Sequence, residues 1–241
     1  VKRITFLLLS LLLTTIALAQ SVDQLFSNGL EKHNSNNFAG AIADFSVAIS
    51  LKPDFAVLYY CRGQSYAEIE NYPKAIADFT RAIEINPLNT SVYLKRAEVY
   101  YKTNSSLQAV NDLTELLKID PFDARAYLLR GKARSKMYDF TRAIADFNRV
   151  LELDRSQRKA LLYRGLAKLE QSDFGGAILD METLLEEEPN NSELHYYLGI
   201  ANIRSGKINQ GCYHLTAARN LGDPRANLMI RDRCAFYESE D

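Results

Sequence analysis

A chain of 241 residues with 47% apolar and 24% charged side chains can bury an extensive core, which excludes a disordered linker or tail. Its 29 basic and 30 acidic residues leave a formal charge of −1. That balance excludes the strongly basic surface by which nucleic-acid-binding proteins work.

The first predicted element is a leader. Lys2 and Arg3 precede an apolar run from Ile4 to Leu18, and Ala17-Leu18-Ala19 supplies the small-x-small pattern of a signal-peptidase site. The run is shorter than the roughly 20 residues that cross a bilayer, and Gln20-Ser21-Val22-Asp23 turns polar at once. Residues 1–19 are therefore read as a signal peptide cleaved near Ala19-Gln20, with a retained anchor and a buried helix as competing readings. No cysteine follows the cleavage pattern, which disfavours a lipoprotein, and the initial Val1 fits a bacterial start codon or a trimmed chain. The expectation is an exported bacterial protein, periplasmic or secreted, with no transmembrane span in the mature chain.

From residue 22 onward the chain repeats itself. Pro53, Pro87 and Pro121 are 34 residues apart and Pro189 follows at twice that interval, Arg155 taking the intermediate place. Gly29, Gly63, Ala97, Gly131, Gly165 and Gly199 keep the same step. The text Ala-Ile-Ala-Asp-Phe recurs at 41–45, 75–79 and 143–147, with looser copies at 109–113 and 177–181. This pattern resembles the tetratricopeptide repeat family. Numbered within the repeat, that family has a small residue at 8, Ala at 20, an aromatic at 24, a small residue at 27 and Pro at 32. The second repeat supplies Gly63, Ala75, Phe79, Ala82 and Pro87. The predicted repeats are 22–55, 56–89, 90–123, 124–157, 158–191 and 192–225, within a repeat domain of 20–225. The fold class the resemblance implies is all-α, a right-handed α-solenoid of six helical hairpins.

Elementary geometry supports that expectation. Positions 4, 8 and 11 share one face of a first helix, and 20, 24 and 27 share one face of a second. A residue without bulk at 8 lets the helices approach. An aromatic at 17 (Phe38, Tyr72, Phe140, Phe174) seats the turn, and Pro at 32 stops the second helix. A hairpin cannot bury its apolar face alone, so neighbours stack. The third repeat has Asn104-Ser105-Ser106 at the turn and Leu116 at position 27, which predicts a looser hairpin. The sixth has Gly211 at 20, Leu215 at 24 and Asp223 at 32, and residues 226–241 read as a capping helix and frayed tail.

Charged pairs follow the same period. Arg62, Arg96, Arg130 and Arg164 stand at position 7 of repeats two to five, and Asp78, Asp112, Asp146 and Asp180 at position 23. Both vanish together in repeat six, where Leu198 and His214 stand instead. Interhelical bridges that fix register are the simplest reading, and a functional basic ladder is the alternative. If exposed, such pairs contribute only about 0–1 kcal/mol each. Cys212 and the cap's Cys234 are candidates for a disulfide in an oxidising compartment, whereas Cys61 lies too far along the repeats to join them.

No catalytic set, metal-ligand spacing or phosphate loop appears, so neither enzyme chemistry nor a cofactor or metal is expected. The resemblance implies a concave face lined by first-helix positions 2, 5, 9, 12 and 13. Those positions bring Lys102, Arg125, Lys132, Lys136 and Lys159, then the apolar Leu162, Leu166, Leu169, Tyr196, Ile200 and Ile203. A protein or peptide with acidic residues beside an apolar anchor suits such a groove. The expected function is a protein–protein interaction scaffold without nucleic acid, and the alternative is a carbohydrate-binding or enzymatic module hidden in the repeats.

Overall fold

A computed structural model of the chain describes residues 21–234; the leader assigned to 1–19 and the tail beyond 234 lie outside them. The described residues form thirteen helices and no strand. They fall into two compact units divided after Pro121. The first unit holds α1 (21–34), α2 (Phe38–Leu51), α3 (Ala56–Glu68), α4 (Tyr72–Ile85), α5 (Thr90–Lys102) and α6 (Ser106–Ile119). The second holds α7 (Ala124–Lys136), α8 (Phe140–Leu153), α9 (Arg158–Glu170), α10 (Phe174–Glu187), α11 (Ser192–Arg204), α12 (Ile208–Asn220) and α13 (Arg225–Arg233). Odd-numbered helices up to α11 are the first helices of the six repeats, and even-numbered ones the second.

Each hairpin turn is built the same way. Position 15 is left-handed in every repeat: Asn36, Glu70, Asn104, Tyr138 and Ser172 have φ of 58–66°, and Gly206 has φ 86°. The following N–H returns to the carbonyl five residues back, as Asn37 does to Lys32 and Ser105 to Tyr100, both at 2.8 Å. Asn37, Asn71, Asp139 and Asp173 then cap the second helix with their side chains. The third repeat departs from expectation here. Ser105 makes no side-chain cap, yet the turn bond keeps the same length and the backbone is as regular as its neighbours. The turn rests on main-chain bonds that need no aromatic at 17. Leu116, unusually large for position 27, is fully buried and fills the space it occupies.

Closeness in the second, third and fourth hairpins depends on a match between positions 8 and 24. A methyl group placed on Gly131 would lie 2.6 Å from the Phe147 ring, and one on Gly63 2.8 Å from the Phe79 ring. Where position 8 is Ala97, position 24 is the smaller Leu113, and both are fully buried. Gly131→Ala gains up to about 1 kcal/mol of helix propensity but meets an overpacking cost of about 1–3 kcal/mol. We expect a net loss near 1 kcal/mol in urea denaturation, recovered when Phe147→Leu is added. A Gly131→Ala variant as stable as the parent would contradict the match.

The last helix seals the second unit. Ala226, Ile230 and Cys234 bury against Cys212, Leu215 and Ala218 of α12. This capping helix, α13, spans Arg225–Arg233 among the described residues. Cys212 and Cys234 form a disulfide, with Cα atoms 5.7 Å apart. Cys61 is a free, buried thiol whose pKa burial pushes up to about 11.

Candidate partner-binding site

The predicted groove residues divide between a surface and a core. In the first unit Lys102 is exposed in the last turn of α5. In the second, Arg125 is exposed but held by the α7 cap, Asp123, through Nη2 at 2.8 Å and Nε at 3.2 Å. Burial works against the Asp123 carboxylate, yet the bonds from Arg125 and the Ala126 N–H hold its pKa below the ordinary value. Lys132 lies 4.9 Å from the centroid of the Tyr163 ring, a cation–π distance. Lys136 and Lys159 are exposed.

The apolar end needs correction. Leu169 and Ile203, which the resemblance implies for the groove, are 3% and 9% exposed and belong to the core. Position 12 turns inward at these two repeats because α10–α11 packing and the cap enclose it. Leu166 and Ile200 are half-buried against the same core. Tyr196 packs on the α12–α13 cluster, with the Arg225 guanidinium 4.3 Å from its ring centroid. Arg225 is in turn held by Asp223 at 2.6 Å, a bond that lowers the Asp223 pKa.

What remains open is a cavity of about 280 Å³ between α9, α10 and α11. Leu162, Leu184 and Leu194 give it apolar walls, and Arg158 and Lys159 give it cations. Arg158 is already paired with Glu187 at 2.6 Å and Glu188 at 2.5 Å. Glu193 stands at the rim in the first turn of α11. The arrangement offers Lys159, which forms no ion pair among the described residues, beside leucine side chains that can seat an apolar group next to a carboxylate.

The periodic Arg–Asp pairs are geometrically uniform. Arg62, Arg96 and Arg164 each grip the Asp sixteen residues on through Nε and Nη2, at 2.6–2.9 Å. Arg130 does the same to Asp146 at 2.8–3.3 Å. The expectation of weak exposed bridges does not fit, because Asp78, Asp112, Asp146 and Asp180 are only 2–6% exposed. A further contact was not anticipated: the third guanidinium nitrogen, Nη1, reaches position 25 of the preceding repeat. Arg62 thus bonds Ser46, Arg96 bonds Thr80 and Arg164 bonds Asn148, at 2.8–3.0 Å. Asp146 and Asp180 take a second cation from position 11, Arg134 at 2.7 Å and Lys168 at 2.9 Å. In repeat one Lys32, also position 11, replaces the missing arginine and meets Asp44 at 2.6 Å.

Sequence reasoning also passed over the histidines of repeat six. His195 Nδ1 and His214 Nδ1 are 3.0 Å apart, and His195 Nε2 is 3.1 Å from the Pro189 carbonyl. Burial, reinforced by His195, pushes the His214 pKa down to about 4. The signal for this pair was their placement at positions 4 and 23, the interhelical face. Among the described residues, no three His, Cys, Asp or Glu side chains converge as metal ligands would. No described helix is long and apolar enough to cross a membrane.

Comparison with known proteins places the fold. Tetratricopeptide repeat models match residues 56–89 and, in overlapping segments, 94–155, 130–180 and 164–208. A tetratricopeptide repeat protein from Parabacteroides merdae superposes with a TM-score of 0.73 at 20% identity, covering 92% of this chain and 89% of its own. YrrB, described as having an unusual peptide-binding site, gives 0.71 at 16% identity, over 78% of this chain and 97% of its own. MamA gives 0.66 at 19% identity, over 71% and 94%. No curated protein matches the chain. The repeat period, the hairpins that embody it and family models spanning more than half the sequence lead to one conclusion: this chain belongs to the tetratricopeptide repeat family.

Proposed function

We propose that the chain is a non-catalytic interaction scaffold that holds an extended protein segment on the first-helix faces of its second unit. The observation that carries this reading is the cavity where Lys159, which forms no ion pair among the described residues, stands beside Leu162 and Leu194. It suits a carboxylate next to an apolar anchor, with the lysine supplying charge and the leucines area. The peptide-binding site named for YrrB is a property of that protein, and supports this reading by analogy of fold alone. The leader pattern, together with a disulfide closed between Cys212 and Cys234, favours action outside the cytoplasm.

The test is fluorescence anisotropy with a peptide carrying glutamate next to leucine. Lys159→Glu replaces attraction with repulsion and should weaken binding by at least about tenfold, since a charged hydrogen bond contributes about 1.5–3 kcal/mol. Leu162→Ala should weaken it several-fold without lowering the melting temperature much, the side chain being half-buried. Binding indifferent to both changes, or absent from the parent protein, overturns the assignment of this face.

A further inference from the structure

Repeats two, three and five share one polar device, and at the junction of repeats five and six it stands incomplete. In the complete form an arginine at position 7 is held by Asp at 23 of its own repeat and by a polar side chain at 25 of the repeat before. Arg164, for example, bonds Asp180 and Asn148. In repeat six position 7 is Leu198, fully buried and apolar. The receiving positions persist: position 23 is His214, and position 25 of repeat five is Glu182. Position 11, which gives a second cation in repeats four and five, is Asn202.

These residues line open space. Glu182, Asn202, Tyr213 and His214 border a cavity of about 380 Å³. Glu182 and His214 also border a neighbouring one of about 700 Å³, together with Glu186, Leu185 and Tyr213. Both lie on the second-helix side of repeats five and six, lined mainly by α10 and α12, away from the α9–α11 cavity of the previous section.

Hydrogen-bond logic fixes what this place can receive. The Pro189 carbonyl can only accept, so His195 Nε2 carries a proton and, in the neutral ring, Nδ1 accepts. His214 Nδ1 must then donate across the 3.0 Å contact, which leaves Nε2 of His214 as a lone-pair acceptor. With its pKa near 4, His214 holds that form at neutral pH. Asn202 donates its amide to the Leu198 carbonyl at 2.9 Å, leaving Oδ1 to accept. Among the described residues Glu182 and Glu186 form no ion pair, unlike Glu187 and Glu188 beside them, which Arg158 neutralises. Two uncompensated carboxylates four residues apart on one helix repel, at a cost of a few tenths of a kcal/mol. Glu182, Glu186, His214 Nε2 and Asn202 Oδ1 therefore all offer acceptors, and the amides of Asn209 and Gln210 add to the polar lining. Tyr213, 59% exposed, adds a ring face on which a planar cation can stack.

We propose that this site binds an arginine side chain supplied by a partner protein, which completes from outside the contact that Arg62, Arg96 and Arg164 complete from within. The guanidinium engages Glu182, with the His214 and Asn202 acceptors beyond it. Its aliphatic stem lies along Leu185 and Tyr213, and Glu186 adds charge at the mouth. Planarity and several donors in fixed directions make arginine a better fit than lysine.

The experiment is calorimetric titration of the full chain with a short peptide centred on one arginine and with the same peptide carrying neutral citrulline. The arginine peptide should bind saturably and the citrulline peptide about tenfold more weakly, the loss of a charge-assisted bond. Glu182→Gln should impose a similar tenfold loss while leaving the fold intact, its side chain being exposed. The decisive variant combines Leu198→Arg with His214→Asp, which restores the internal arginine of repeats two to five. It should fold, as circular dichroism would report, and lose binding of the arginine peptide. No saturable binding by the parent chain overturns the proposal. So does equal affinity for both peptides, or binding unaffected by Glu182→Gln. The last arm stands whether or not the double variant folds.

Discussion

Replacing Asp146 with alanine is expected to destabilise the second unit by about 3–5 kcal/mol, the usual cost of stranding one side of a buried ion pair. Asp146 is 3% exposed and receives both Arg130 and Arg134, whose side chains are themselves only 13% and 15% exposed. Arg134 already sits in an unfavourable place: burial, together with repulsion from Arg130, holds its pKa below the ordinary arginine value, against the pull of Asp146. Removing the carboxylate takes from both guanidiniums the charge that Asp146 supplies, where little water can replace it. Asp78→Ala, which strands Arg62 alone, should cost less. Denaturant unfolding followed by circular dichroism checks both values. Repeat six furnishes an internal control, because it does without the pair and uses Leu198, Asn202 and His214 at the three positions. Copying that set into repeat four as Arg130→Leu, Arg134→Asn and Asp146→His should recover most of the loss, since a packed apolar replacement of a buried ion pair is often neutral. A single variant that costs under about 1 kcal/mol would return these pairs to the class of surface bridges.

The second large effect belongs to the cap. Opening the Cys212–Cys234 disulfide, by reduction or by Cys234→Ser, should cost about 3 kcal/mol for a closed loop of 22 residues. The α13 helix has only nine residues, and three buried side chains, Ala226, Ile230 and Cys234, fasten it to α12. A helix this short has little stability of its own in water, so the loss should concentrate there. Hydrogen exchange should show α13 losing protection first, followed by α12 around Cys212. A drop in melting temperature of about 6–12 °C corresponds to that energy for a domain of this size. Unchanged exchange in α13 after reduction would mean that apolar packing alone secures the cap.

Most of the fold was legible because a 34-residue period leaves few alternatives. Once Gly63, Phe79 and Pro87 were placed in phase, helix positions and turns followed. The third hairpin departs from the sequence expectation because its turn geometry does not come from side chains. In the structure a left-handed residue and two main-chain bonds determine it, and Asn104 satisfies that as well as Tyr138 does. For the groove, the resemblance names the first-helix positions of Lys159 and Leu162, but whether Leu169 and Ile203 reach the surface depends on how tightly the next hairpin and the cap close over them. Burial of the Asp side chains was likewise invisible, since a sequence shows that Arg and Asp co-occur but not whether water reaches them. The position 25 acceptors, Ser46, Thr80 and Asn148, are not legible as a set in the sequence, because their polar types differ while their role is shared.

The reciprocal fit of positions 8 and 24 has a consequence for how such a chain can change over generations. Gly131 suits Phe147 and Ala97 suits Leu113, so a crossover that joined the first helix of one hairpin to the second helix of another could bring alanine against phenylalanine. A crossover at the loops between hairpins preserves each fitted couple. Duplication and shuffling of this array are therefore least damaging in whole hairpins, and the heritable module is the matched pair of helices rather than the single helix.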